Sequence, residues 1–190
     1  MPVDRRREIR KDEDTVLPGG RVRFLAKVAR FCVLSREEAP DDNAARQMLA
    51  VGIRQLHDNA QSFRGAGKYL GHSVWSMAAL DVLEQNEGRV PGITDQLSHE
   101  HVFPVMKVVE ILFALSSSAP LQDYEEVIEC NSVVAILTRS EDRKLSATRL
   151  RNQMPLDWNG NDLWARLRAI DIYDQLRPNP ALQRITFGDP

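Results

Sequence analysis

Ser98-His99-Glu100-His101 gathers two of the four histidines of the chain and a carboxylate into one short string. In an extended segment successive side chains point to opposite faces, so His99 and His101 share a face. That geometry suits two metal ligands, or one ligand beside a general base. The histidines of zinc peptidases lie four apart on a helix, whereas these lie two apart, so the spacing argues against that chemistry. His57 and His72 read as surface or capping residues, because neither has an acidic or histidine partner at ligand spacing apart from Asp58 beside His57. Cys32 and Cys130 stand almost a hundred residues apart with no second pair, and they read as buried small hydrophobes. Gly65-Ala66-Gly67-Lys68 reads as a turn, since a phosphate-binding loop needs glycine where Ser62 stands and serine or threonine where Tyr69 stands.

Glu100-His101-Val102-Phe103-Pro104 resembles the opening of the HNH nuclease motif: an acidic residue, histidine, valine or isoleucine, any residue, proline. Downstream, Asn131 precedes a β-branched run, Val133 to Leu137, and Thr138 to Leu145 looks like the start of a short helix, so the order strand, strand, helix fits that family. The resemblance covers about a quarter of the chain, Ser98 to Leu145. It implies that Glu100 holds a divalent metal, that His101 is the general base that activates water, and that Asn131 orients the site. Two departures matter. Asp142 stands where the family has histidine or asparagine, and an oxygen ligand suits Mg²⁺ or Mn²⁺ rather than a nitrogen-preferring metal. The 30-residue separation of His101 from Asn131 is long for the family, because a whole apolar helix is inserted between the two halves of the motif. The implied reaction is phosphodiester hydrolysis, with general-base and electrostatic contributions. Arg139 and Arg143 flank Asp142 and could contact neighbouring phosphates; arginines on a short exposed helix are more often solvated or paired with Glu141, and that reading leads.

Those residues need a scaffold. Residues 1–20 mix Arg5, Arg6, Arg7, Arg10 and Lys11 with Asp12, Glu13 and Asp14 and close on Pro18-Gly19-Gly20, which predicts an extended arm followed by a single domain over 21–190. From Val22, helical spacing of Leu25, Val28, Ala29 and Cys32 predicts a helix with Arg23, Lys27 and Arg30 on another face. That basic stripe is a solvated face, or else a contact for nucleic acid or an acidic protein. A second helix is capped within Asp41-Asp42-Asn43 and turns Ala45, Met48, Leu49, Gly52, Ile53 and Leu56 inward. A third spans Ser73 to Gln85. A fourth, Val105 to Leu115, is apolar almost all round and belongs in the middle of the fold. A short helix follows from Leu121 to Glu129, then the strand Val133 to Leu137. A terminal helix is capped by Asn161 or Asp162, and Trp158 and Trp164 read as pins for it. The expected fold class is mainly α, a helical domain carrying a small two-stranded β element, as a ββα-metal-like insertion would supply.

With 43% hydrophobic residues, 190 residues suffice for a continuous core. No apolar run reaches the roughly 18 residues of a membrane span. No apolar region follows the charged start, so a cytoplasmic chain of bacterial or phage type, without membrane contact, is expected. The net charge of −2 hides an asymmetry. Residues 1–31 carry nine Lys/Arg against five Asp/Glu, and the remaining 159 carry 16 against 22. An acidic body argues against sheathing a duplex, so any phosphate contact is local. Two functions stand. One is a metal-dependent HNH-like nuclease of a mobile element or defence system, using Mg²⁺ or Mn²⁺ and binding nucleic acid. The other is a catalytically inactive protein that binds a protein or ribonucleoprotein, such as a phage-encoded inhibitor of a host nucleic-acid defence complex of the anti-CRISPR kind. A transcriptional regulator is a weaker third, for want of a helix-turn-helix signature.

Overall fold

Val22, Ala26, Ala29 and Val33 recur every three or four residues and form the buried stripe of α1 (Gly19–Leu34). In the computed structural model, which describes residues 19–35, 42–56, 69 and 71–178, this stripe meets Leu49, Ala50 and Ile53 of α2 (Asp42–Gln55). Gly52 permits the approach, since a Cβ built there would lie 2.5 Å from Leu25 Cδ2. The same cluster takes in α4 (Val105–Ala114) and α5 (Leu121–Asn131), with Val108, Val109, Leu112, Tyr124 and Ile128 buried. The apolar fourth helix is therefore central, as its composition predicts.

A small mixed sheet stands beside these helices. Its strands are β1 (Val74–Ser76), β2 (Leu97–His101), β3 (Val134–Thr138) and β4 (Leu176–Pro178), in the order β2-β3-β1-β4. β2 pairs antiparallel with β3, β1 parallel with β3, and β4 antiparallel with β1. Trp75, Leu97, Val134 and Ile136 cover one face with Ala79 and Leu83 of α3 (Met77–Gln85). Val74, Ala135 and Leu137 cover the other with Leu145 of α6 (Arg139–Ala147) and Trp164 and Leu167 near α7 (Ala165–Arg168). A 3-10 turn, Tyr173–Gln175, leads into β4.

The chain is thus mainly α with a four-stranded sheet, not the two-stranded element expected. β1 and β4 have three residues each, too few to display alternation. The third helix consequently begins at Met77 rather than Ser73, because Val74–Ser76 joins the sheet and Ser76 Oγ caps the helix by accepting from Ala79 N. The terminal helix shrinks to one turn, with Asp162 Oδ1 accepting from Trp164 N. Trp158 stacks near Phe103, ring centroids 5.4 Å apart, and Trp164 is buried, so both do pin this segment. Cys32 and Cys130 are only half-buried. The predicted arm falls outside the described residues except for Gly19 and Gly20, which open α1; His57 and Gly65 to Lys68 also lie outside them. Among the described residues no helix is long and apolar enough to cross a membrane.

One carboxylate ties the two parallel strands to the helices that follow them. Glu141 Oε2 accepts from Thr138 N at 2.7 Å, Thr138 Oγ1 at 3.0 Å and Ser76 Oγ at 2.7 Å. Thr138 Oγ1 in turn accepts from Glu141 N, completing a capping box at the start of α6. Since Ser76 caps α3, a single buried group joins both helix starts. Glu141→Ala removes the acceptor and leaves buried donors unmet, which should cost about 3 kcal/mol. The denaturant midpoint measures this, and a loss below about 0.5 kcal/mol, the range of ordinary surface substitutions, would contradict it.

Candidate functional site

Strand register sorts the chemistry-bearing segment. His99 pairs with Ile136 and His101 with Val134, so their side chains share the α3 face, while Glu100, opposite Ala135, belongs to the α6 face. β2 is the edge strand, so the two faces meet at its open side. There a cleft of about 420 Å³ is lined by His99, Glu100 and His101 together with Arg54, Arg151 and Arg166. The arginines come from the last turn of α2, the loop after α6, and α7. Pro104, Val105 and Met106 at the start of α4 close one side, and Asn152 adds an amide. Three guanidinium groups against one carboxylate make this an electropositive hollow in an otherwise acidic body.

Arg166 organises the α6 side of the cleft. Its side chain is 1% exposed, and Nη2 donates to Glu100 Oε1 at 2.6 Å and to the Arg151 carbonyl at 3.0 Å, while Nη1 donates to the His101 carbonyl at 3.0 Å. The guanidinium fork thereby fixes the end of β2, the loop after α6 and α7 to one another. Burial pushes the Glu100 carboxyl above its ordinary range, and the Arg166 charge and hydrogen bond pull it back. Burial likewise lowers Arg166, against the opposing pull of Glu100 and Asp142. Asp142 is 6% exposed, and its Oδ1 is buried without a hydrogen-bond partner, so Arg166 answers its charge through space.

Three histidines line up on the other side. His72 Nε2 and His99 Nε2 are 2.9 Å apart, and the ring centroids of His99 and His101 are 5.6 Å apart. His72 is buried at 1% exposure, not a surface or capping residue. Two imidazole nitrogens at hydrogen-bond distance need one proton between them, so the buried ring fixes which nitrogen of His99 faces it and thereby orients that ring.

Glu100 and Asp142 are thus near enough for each to act on the other's charge, and both act on the Arg166 guanidinium, to which only Glu100 is hydrogen-bonded. His101 joins them at the cleft edge through its backbone carbonyl, its ring lying by register on the opposite face. Asn131 does not join: it ends α5, and its Nδ2 donates to the Val127 carbonyl within that helix at 2.7 Å. Arg139 and Arg143 are exposed on α6 and do not line the cleft. On α1, Arg23 pairs with Glu125 at 3.7 Å, Lys27 is exposed, and Arg30 is half-buried beside Tyr124. Sequence reasoning missed Arg54, Arg151, Arg166 and His72. The one local signal was an arginine set between Ala165 and Leu167 in a segment that otherwise buries apolar side chains.

The donor set does not fit the divalent cation that the HNH resemblance implies. The Glu100 oxygen that would ligate it already accepts from a buried guanidinium, and the Asn131 amide is spent inside its own helix. Among the described residues no three His, Cys, Asp or Glu side chains are grouped so as to hold a metal. What the cleft offers is two exposed guanidinium groups, Arg54 and Arg151, and two imidazoles around a buried Arg166, a set of cationic and imidazole groups suited to an oxyanion. The chain matches no family model, no curated protein and no solved structure, so it is assigned to no family and its function is argued from these residues.

Proposed function

We infer that the cleft beside β2 binds a phosphodiester of a nucleic acid and cleaves it, with His101 taking the proton from the attacking oxygen. The observation that carries this reading is the meeting of His99 and His101 with Arg54, Arg151 and Arg166 in one hollow. Phosphate oxygens are anions for which guanidinium forks are the best-matched side chains, and developing charge in the transition state strengthens those contacts. A volume of about 420 Å³ accommodates a nucleotide unit rather than a duplex, in keeping with local contact by an acidic protein. The antiparallel pair β2 and β3, followed at once by α6 packed on it, is compatible with descent from a ββα nuclease whose metal position has been taken over by Arg166.

Two exposed arginines test the binding half. Arg54→Ala and Arg151→Ala each delete one cationic donor from the rim, and each should weaken binding of a fluorescently labelled oligonucleotide about tenfold. Anisotropy titrations at fixed salt measure this. Unchanged affinity in the double variant would remove the phosphate from the cleft.

A second reading has its own observation. Phe24, Phe31 and Leu34 on α1 and Met48 and Val51 on α2 are all about half or more exposed, a cluster of apolar side chains of the kind that marks a protein contact. Binding of a protein or ribonucleoprotein through this face, as in the inhibitor alternative, would be indifferent to His101→Ala and to the rim arginines.

A further inference from the structure

We propose that the cleft selects the end of a nucleic-acid strand that carries a phosphomonoester, in preference to a diester within the strand. The proposal rests on the phosphodiester reading above and adds which phosphate of the strand is held. Of the three guanidinium groups, Arg166 is buried and committed: its Nη atoms donate to Glu100 Oε1 and to the carbonyls of His101 and Arg151. Arg54 and Arg151 stand at the rim, on the last turn of α2 and in the loop after α6, and both are exposed. Glu100, the one carboxylate among the described residues that line the cleft, is tied to Arg166, and Asp142 acts on Arg166 from outside that lining. Two positive charges are therefore open to solvent and to a ligand at the mouth of the hollow.

Their number and form select the phosphate. A diester presents two non-bridging oxygens and one negative charge, with an ester substituent on either side. A monoester presents three strong acceptor oxygens and a charge of about −1.5 to −2 at pH 7. Two guanidinium forks can engage a monoester from two sides without meeting a second substituent, and the added charge strengthens each of those hydrogen bonds. Asn152 lines the same hollow, and its amide can donate to the third oxygen. The shape points the same way. A volume of about 420 Å³ takes one nucleotide, and Pro104, Val105 and Met106 wall one side. A phosphate within a strand needs room for a nucleotide on both sides, whereas a terminal one needs it on one side only. The acidic body offers the rest of the strand little further attraction, which concentrates the affinity at the end.

Short single strands of one sequence, labelled on an internal base, are titrated with the full chain at fixed pH and salt, and gel electrophoresis checks that they stay intact. One carries a 5′-phosphate, one a 3′-phosphate, one hydroxyls at both ends, and two have the 5′- or the 3′-phosphate capped as its methyl ester. At least one phosphorylated strand should bind about tenfold or more tightly than the hydroxyl-ended strand. The methyl cap should abolish that advantage, and so should Arg54→Ala combined with Arg151→Ala, with the unfolding midpoint unchanged. A hydroxyl-ended strand that binds as tightly as both phosphorylated strands would overturn the end assignment while leaving the phosphodiester reading standing. So would a capped strand that keeps the advantage, because the extra charge and the third oxygen would then contribute nothing. An advantage that survives in the double variant would place the terminal phosphate elsewhere on the protein and overturn the assignment to this cleft. A free mononucleotide that competes as well as the phosphorylated strand would replace the strand end by a small-molecule ligand. Failure of every strand to bind would overturn both readings.

Discussion

Replacing Arg166 by alanine should cost about 3–5 kcal/mol of stability, the largest effect expected of any single substitution in the cleft. Three acceptors from two segments, β2 and the loop after α6, lose their donor at once: the Glu100 carboxylate and the carbonyls of His101 and Arg151. Glu100 would then share a buried space with Asp142, whose Oδ1 already lacks a hydrogen-bond partner, and two carboxylates with no cation between them repel. Arg166→Lys keeps the charge but loses the planar fork, so it should recover only part of the loss. Equilibrium unfolding of the three proteins measures the order. If the guanidinium is the resident cation, Mn²⁺ should raise the unfolding midpoint of Arg166→Ala and leave that of the unaltered protein unchanged. Equal stability of all three proteins would mean that the buried fork holds nothing together.

His101→Ala should lower the rate of phosphodiester cleavage by about 10²–10⁴-fold while leaving oligonucleotide affinity within a few-fold of its starting value. In the proposed mechanism the affinity is set by the arginines, and the imidazole acts on a proton that moves only in the transition state. The hydrogen bond that anchors the end of β2 is kept in this variant, because Arg166 donates to the His101 backbone carbonyl rather than to its ring. Initial rates and anisotropy on the same preparations separate the two effects. A variant that cleaves at the original rate would take His101 out of the chemistry, and one that merely fails to bind would make it a binding residue.

The parts of the fold legible in the sequence are those with a long or strong local signal. The β-branched run at Val133 to Leu137 is β3 with a shift of one residue, and the apolar Val105 to Leu115 is the central α4. β1 was hidden because Val74–Ser76 runs straight into α3 and shares its apolar spacing, so strand and helix read as one element. β4 was hidden by Pro178 and by a length of three residues. For the site, Glu100, His101 and Asp142 were legible as residues worth watching because the local string is unusual, and the fold does gather Glu100 with Asp142. Their partner was not legible. Arg166 lies 66 residues from Glu100, and His72 lies 27 from His99; no periodicity links such positions. Asn131 misled for the opposite reason. Its place just before a strand matched a motif, while its amide was satisfied four residues back along a helix.

The most direct test of a phosphate-binding cleft is the imidazole region of the NMR spectrum during titration with a short single-stranded oligonucleotide at constant pH and salt. The signals of His99 and His101 should move together and saturate with one affinity, and Arg54→Ala with Arg151→Ala should weaken that affinity. Imidazole signals that stay fixed while the oligonucleotide binds, or that move identically in the double variant, would contradict the assignment of this cleft to phosphodiester chemistry.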